Sequence, residues 1–178
     1  MELPALSRRV FLRRSLRAVG ALALLPGLEL ACAPGGEARA PADLAVVGPG
    51  EWAVLDAVAD AFVPAGGAFE AGARSVELPR RIDRFLAGEA PETVQGVASA
   101  LWVVEWVSPL LAGRPGRFSR MDLADRTRCI EALMQSRLAI AREIYAGLKQ
   151  LCLFQFYAAD ASWPAIGYDG PWVGRVAR

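Results

Sequence analysis

The sequence contains no histidine, and this absence excludes several kinds of site. None of its 178 residues is histidine, so it cannot form a Ser-His-Asp or Cys-His catalytic pair. A C-x-x-C-H haem attachment site and a His-ligated zinc site are excluded for the same reason. The chain has only three cysteines, Cys32, Cys129 and Cys152, and they are too widely spaced for a four-thiolate cluster motif.

The chain also lacks a strong excess of charge of one sign. Its formal net charge is +1. Of the 20 basic and 19 acidic residues, five and two lie in residues 1–33, which leaves 15 basic and 17 acidic residues in the rest. A nucleic-acid-binding protein would show a basic face or stripe, so the sequence predicts no nucleic-acid partner. Hydrophobic residues make up 54% of the chain, which indicates a folded protein.

Paired arginines precede a short apolar run near the N-terminus, and the run, residues 18–25, ends at Pro26 and Gly27. A basic front, a short apolar middle and a helix-breaking end are typical of a signal peptide. The run is too short to cross a bilayer, which takes about 20 apolar residues. The motif resembles the twin-arginine export signal, which implies export in the folded state by the twin-arginine translocase; its residues are Arg8, Arg9, Phe11 and Leu12.

Three outcomes remain open at the end of this leader, which is assigned to residues 1–33. Residues 28–32 resemble a lipoprotein cleavage box that would lipidate Cys32, although Glu29 stands where an aliphatic residue is expected. Cleavage without lipidation and retention of the leader are the other two. Residues 34–49 are rich in proline, glycine and alanine and predict a flexible tether, so the folded domain is assigned to residues 50–178.

The folded domain is predicted to be all-α, an irregular bundle of about five helices. Apolar residues recur at helical spacing, and prolines and glycines mark the ends of the helices. No segment alternates with period two for long, so no sheet is expected. The predicted helices span about 51–63, 78–87, 92–111, from an N-cap at Ser119 to 135, and 136–157.

The third predicted helix is the most apolar. Between residues 97 and 107 only Ser99 and Glu105 are polar. A helix that is apolar on all sides is either central to the core or covered by a partner. We expect an arginine to pair with Glu105, because an unpaired buried carboxylate is strongly destabilising.

The C-terminal residues 162–173 concentrate large aromatic side chains in irregular chain. Prolines and glycines exclude a regular helix there, and Asp169-Gly170-Pro171 favours a turn. The aromatic side chains either pack back on the bundle and fix the tail, or form an interface with a partner, and the two outcomes are compatible. The residues assigned to that interface are Trp163, Ile166, Tyr168, Pro171 and Trp172.

This tail resembles the end of the small third subunit of membrane-associated gluconate 2-dehydrogenase and its relatives, where a Trp and then Ile-Gly-Tyr-x-Gly-Pro recur. Here the matching residues are Trp163 and 166–171. With the twin-arginine leader, the resemblance extends over nearly the whole chain. Other matches to the family are residues 57–64, Ile82, Asp83, Phe118 and Arg126.

The resemblance implies a non-catalytic accessory subunit that binds no cofactor itself. Its partner would be a large flavoprotein of the glucose-methanol-choline type, which holds FAD and oxidises a sugar, a sugar acid or another alcohol. A multihaem cytochrome c, with haem c, would be a third subunit. The complex would be periplasmic at the inner membrane, attached through the partner, the leader or a lipid.

Two other functions are weighed against this one. Cys32 and the tether also fit a free-standing exported lipoprotein with a binding or structural role. An enzyme is the least favoured hypothesis, because it would have to use carboxylates such as Asp56, Asp60 or Glu105 without histidine or metal. Asp56 and Asp60 are equally explained as a solvated helix face.

Cys129 and Cys152 lie on consecutive predicted helices, so two arrangements are open. In an oxidising compartment they would form a disulfide that joins the helices and stabilises the fold by about 2–4 kcal/mol. Otherwise they are two buried thiols that behave as small apolar side chains.

Overall fold

The computed structural model describes residues 40–66 and 70–170. The export motif at Arg8, Arg9, Phe11 and Leu12 lies outside the described residues, as do Cys32, Pro171 and Trp172. The expectations for these positions therefore remain predictions.

The described chain is all-α, as predicted, and has no strand in either described range. It has six α-helices: α1 (Pro49–Phe62), α2 (Leu78–Leu86), α3 (Pro91–Trp106), α4 (Ser108–Leu111), α5 (Leu123–Met134) and α6 (Ala139–Tyr157). Short 3₁₀ turns occur at Ala73–Val76, Phe118–Arg120, Asp160–Ser162 and Pro164–Ile166. The single helix predicted over 92–111 is divided at Val107 into α3 and α4, because Pro109 has no N–H to continue the helical hydrogen bonds.

The central helix of the bundle is α1, which packs against α2, α3, α5, α6 and the Phe118–Arg120 turn. Its start is fixed by Pro49 and by the Glu51 carboxylate, which accepts a hydrogen bond of 2.9 Å from the backbone N–H of Gly48. Because it has neighbours on several sides, its buried residues extend beyond one stripe: Trp52, Val54, Leu55, Ala57, Val58 and Ala59.

Of the two alternatives for the third predicted helix, a central position in the core is excluded, and cover by a partner remains a prediction. Only Leu101, Val104 and Glu105 of α3 are buried, whereas Trp102 is 59% exposed and Trp106 is also exposed. The reason is position: α3 packs on α1, α4, α6 and the Phe118–Arg120 turn, and no other described helix packs closely on its outer side. The apolar residues of that side are therefore left at the surface.

The fifth helix begins later than predicted, and its N-cap is Asp122 rather than Ser119. The Asp122 carboxylate accepts a hydrogen bond of 2.8 Å from the backbone N–H of Asp125. Ser119 lies in the preceding 3₁₀ turn, where its hydroxyl donates to Glu105 at 2.8 Å. A hydroxyl engaged in that way is not free to cap the helix.

The flexible tether predicted over 34–49 is wrong at its C-terminal side, because Asp83 of α2 binds that segment. The Asp83 carboxylate accepts hydrogen bonds of 2.7, 3.0 and 2.9 Å from the backbone N–H groups of Ala45, Val46 and Val47. Burial opposes ionisation of Asp83, but the three N–H donors outweigh it and lower its pKa. With Val47 buried as well, the folded body begins before residue 50.

Candidate docking surface

The described part of the aromatic tail folds back on the end of α6. The indole Nε1 of Trp163 donates a hydrogen bond of 3.0 Å to the carbonyl oxygen of Tyr157. The rings of Trp163 and Tyr168 meet edge to face with centroids 5.2 Å apart. The tail is thus fixed through Trp163, which is half-buried.

Two glycines permit this turn. Gly167 and Gly170 have φ of 66° and 99°, which L side chains rarely adopt. A Cβ on Gly170 would also lie only 3.0 Å from Cζ3 of Trp163. The Gly-Tyr-x-Gly spacing noted in the sequence is therefore required by the way the chain wraps round Trp163.

The same tail leaves apolar side chains at the surface. Ile166 is 48% exposed and Tyr168 is exposed as well. Of the two outcomes weighed for the tail, packing on the bundle describes Trp163. Ile166 and Tyr168 are instead exposed, as the residues of an interface with a partner would be.

Further aromatic residues extend this surface along α6. Phe154 is 59% exposed and Tyr157 is exposed, and residues three apart on a helix are surface neighbours. Phe154 also meets Phe85 of α2, with ring centroids 6.0 Å apart. We call the surface formed by these five residues the aromatic ridge: Phe85, Phe154, Tyr157, Ile166 and Tyr168.

An apolar groove lies between α3 and α6 and reaches the aromatic ridge at Phe85. Its volume is about 420 Å³. On its two sides are Gly96 and Gly147, and a Cβ on either would have nothing within 4 Å, so the missing side chains leave the groove open. Its apolar lining includes Val97, Ala100, Ile144, Leu148 and Leu151.

A second apolar patch lies at the end of α3 and on α4. It contains Trp102, Trp106 and Leu110, and Leu110 is 73% exposed. The guanidinium of Arg117 lies over the Trp106 ring, 5.2 Å from its centroid. Exposed apolar residues that cluster in this way are typical of binding surfaces, whereas scattered ones are common on any protein.

The buried carboxylate Glu105 has the arginine partner that was expected. Arg117 Nε donates to its Oε1 at 2.6 Å, and the backbone N–H of Ser119 donates to its Oε2 at 2.9 Å. With the Ser119 hydroxyl, three donors satisfy this carboxylate. These contacts join α3 to the Phe118–Arg120 turn, which is a structural role.

Asp56 and Asp60 on α1 are both paired with arginines. Asp60 lies 3.5 Å from Arg126 of α5, and Asp56 lies 3.6 Å from Arg74. Burial raises the pKa of Asp56, against the attraction of Arg74. Arg126 also donates to the carbonyl oxygen of Ser119 at 2.8 Å, so these charges join α1 to α5 and to the loop before it.

Cys129 and Cys152 are free buried thiols, so the structure corrects the disulfide alternative. Cys129 lies 3.7 Å from the Met121 sulfur. Burial raises the pKa of Cys152 to about 12. Both cysteines therefore act as core side chains.

Residues 40–66 and 70–170 contain neither a cluster of metal ligands nor a membrane-spanning helix. No group of three or more Cys, Asp or Glu side chains there could hold a metal ion. No helix in the same ranges is long and apolar enough to cross a bilayer.

Comparison with known proteins found no relative. No protein-family profile, no curated protein and no solved structure matches this chain. Function is therefore inferred from the chain's own residues and surfaces.

Proposed function

We propose that this chain is a non-catalytic accessory subunit that binds a periplasmic FAD-dependent dehydrogenase of the glucose-methanol-choline type and is exported with it by the twin-arginine pathway. The observation that carries the proposal is the aromatic ridge, continuous at Phe85 with the apolar α3–α6 groove. Large aromatic side chains at the surface are the residues that dominate protein–protein binding. The resemblance of the tail and the leader to the third subunit of gluconate 2-dehydrogenase supports this choice of partner.

Export of two folded chains on one leader would require a stable interface between them. A flavoprotein folds around FAD in the cytoplasm, and the twin-arginine pathway accepts folded cargo. One leader, at Arg8 and Arg9, would export both chains if they stay bound during transport. A stable interface of this kind buries more than about 1,200 Å² in total and is largely apolar. The ridge and the groove together supply a surface of that character.

The proposal assigns redox chemistry to the companions of this chain. FAD would belong to the flavoprotein, which oxidises a sugar, a sugar acid or another alcohol, and haem c to a multihaem cytochrome subunit. The small subunit would bind no cofactor and would lie in the periplasm at the inner membrane. Its attachment there would be through the partner, the leader or a lipid on Cys32.

The export role is tested by co-expressing the full chain with the flavoprotein that is its proposed partner. In the variant with Arg8→Lys and Arg9→Lys, we expect the flavoprotein to remain in the cytoplasm with its FAD bound. Conversion of Arg13 and Arg14 to lysine serves as the matched control and should leave export unchanged. A flavoprotein that reaches the periplasm equally well with the first variant would contradict the proposal.

The docking surface is tested separately, by co-purification. Phe154→Ser removes an exposed ring from the ridge, and loss of a central aromatic anchor costs about 2 kcal/mol or more in binding, which is a weakening of roughly thirtyfold. Ile140→Ser, at an equally exposed position near the other end of α6, is the control and should bind normally. Equal binding by both variants would place the interface elsewhere. A full-length chain that purifies from its native host alone, without flavin, would favour the free-standing lipoprotein instead.

A further inference from the structure

The second apolar patch lies at one end of the outer side of α3. Positions 95, 99, 102 and 106 fall on one face of this helix, because residues three or four apart are neighbours there. Gln95 and Ser99 are exposed polar residues in the first part of the face, whereas Trp102 and Trp106 follow towards its end. Leu110 of α4 continues the apolar part. A partner helix lying along α3 would need apolar residues over the whole face, so the pattern favours a contact confined to this end.

The short helix α4 makes the patch protrude. Leu110 is the most exposed large apolar residue of the described ranges, and Leu111 beside it is also exposed. Gly113, with φ of 66°, turns the chain directly after the helix. Protruding leucines beside tryptophans suit the interfacial zone of a bilayer, which needs no matching pocket. Tryptophan is enriched in that zone because its ring is apolar and its N–H is polar.

The chain around the patch carries arginines and no acidic residue from position 106 to position 121. The side chains of Arg114 and Arg117 are partly exposed. Each has a carboxylate partner outside this run: Glu105, which is buried, and Asp125 of α5, which lies 3.5 Å from Arg114. The patch therefore presents cationic side chains without a large net charge. Long arginine side chains beside an apolar surface reach lipid phosphates, so we expect a modest preference for anionic lipids.

The segment that continues from the leader enters the folded body beside this patch. Val46 and Pro49 line a groove of about 530 Å³ together with Trp102 and Trp106. Val46 follows Cys32 by 14 residues, so the chain between them spans at most about 50 Å. A leader retained in a bilayer, or a lipid on Cys32, would hold the patch within this distance of lipid. A tethered surface binds at a high effective concentration, so a weak affinity of the patch for lipid would suffice.

We propose that the second apolar patch rests on the surface of an anionic lipid bilayer. Trp102, Trp106 and Leu110 lie in the interfacial zone, and Arg114 and Arg117 face the lipid headgroups. This contact goes beyond the proposed function, because it attaches the folded body itself to the membrane. It concerns this chain alone and does not depend on the dehydrogenase partner, which would bind at the aromatic ridge and the α3–α6 groove.

The test measures depth in the bilayer, with a nitroxide label on the full chain. Cys32→Ser removes one thiol and Cys129 and Cys152 are buried, so the label goes to Leu110→Cys or, in the control, to the exposed position Ile140→Cys of α6. On vesicles of equal parts phosphatidylcholine and phosphatidylglycerol, we expect the label at position 110 to collide more with oxygen and less with a water-soluble nickel chelate. The label at position 140 should stay in water. Binding through the leader would bring both labels to the vesicle and cannot produce this difference.

Two further comparisons identify what covers the patch. Trp102→Ser with Trp106→Ser should weaken insertion of the label at position 110 by about tenfold or more, because two half-exposed indole rings lose their apolar contact. Vesicles of phosphatidylcholine alone should take up the patch a few-fold less well. A label that stays in water, equal insertion into both kinds of vesicle, or no effect of the tryptophan substitutions would overturn the proposal.

Two results obtained without lipid would also overturn it. Spin–spin broadening at position 110 would indicate that a second copy of the chain covers the patch. Immobilisation of the label by the flavoprotein would place the protein partner there instead. The substituted positions are exposed, so the variants are expected to fold, and an unchanged circular dichroism spectrum would verify this.

Discussion

Helices α1 and α3 are both rich in apolar residues, yet they occupy opposite situations in the bundle. Every residue of α1 from Glu51 to Phe62 is at least partly buried, whereas α3 has Trp102 and Trp106 at the surface. The difference arises because α1 is surrounded by other helices, whereas α3 has an outer side on which no other helix of the described ranges packs closely. Apolar content alone therefore does not identify the central helix; a surplus of apolar surface on a peripheral helix is available for binding instead.

The largest expected effect separates the two helices directly. Leu55 of α1 is completely buried, so Leu55→Ala should destabilise the fold by about 3 kcal/mol through lost burial and a residual cavity. Leu110→Ala, at the exposed end of the second apolar patch, is the matched control and should change stability by less than about 0.5 kcal/mol. Urea denaturation of both variants measures this. Similar losses of stability for Leu55→Ala and Leu110→Ala would contradict the different positions assigned to these two residues.

The next effect concerns what holds α3 in place. Glu105→Gln should destabilise the fold by about 2 kcal/mol, because a buried charge that receives three hydrogen bonds is replaced by a neutral amide and the Arg117 guanidinium loses its partner. The control is Glu92→Gln, in the exposed first turn of the same helix, where only a few tenths of a kcal/mol are expected from the helix dipole. Thermal unfolding measures the stability of both variants. A Glu105→Gln variant as stable as the unchanged chain would contradict a structural role for the Glu105–Arg117 pair.

The smallest expected loss of stability concerns the segment before α1 that is bound by Asp83, and it depends on pH. Because the pKa of Asp83 is lowered in the folded state, its contribution to stability is present above about pH 4, the ordinary value for Asp, and is lost as the pH falls through the lowered value. Asp83→Asn should therefore cost about 1.5 kcal/mol near neutral pH and less below pH 4.

The matched control for the Asp83→Asn variant is Asp43→Asn. Asp43 is exposed, and its ion pair with Arg80 lies at the surface, so no measurable change is expected. Urea unfolding between pH 3 and pH 7 tests both variants. A loss at Asp83 that stays the same across this range would mean that its charge is not what holds the segment.

Local patterns in the sequence were enough for the positions of most helices. Periodic apolar residues with flanking proline and glycine predicted α1, α2 and α6 to within a few residues, because these signals act within one element. The cost of burying a charge predicted that an arginine would pair with Glu105. It did not predict which one, because Arg117 is brought there by a loop that carries no such pattern.

Tertiary position was the part that sequence could not supply. A uniformly apolar helix such as α3 shows no preferred side, so its exposure is decided by where its neighbours lie. For a similar reason, the sequence predicted only two of the five ridge residues, Ile166 and Tyr168, as interface residues. Phe154 is recognised as part of the ridge only through its contact with Phe85, which lies 69 positions earlier in the chain.

The hydrogen bonds from Ala45, Val46 and Val47 to Asp83 have a mechanical consequence. In the proposed export, traction on the leader would reach the folded body first near the ion pair of Asp43 with Arg80, and next at these three consecutive residues. The load would then be shared by one carboxylate and passed to α2, rather than drawn along the axis of α1. The helix at the centre of the fold would then be shielded from that traction.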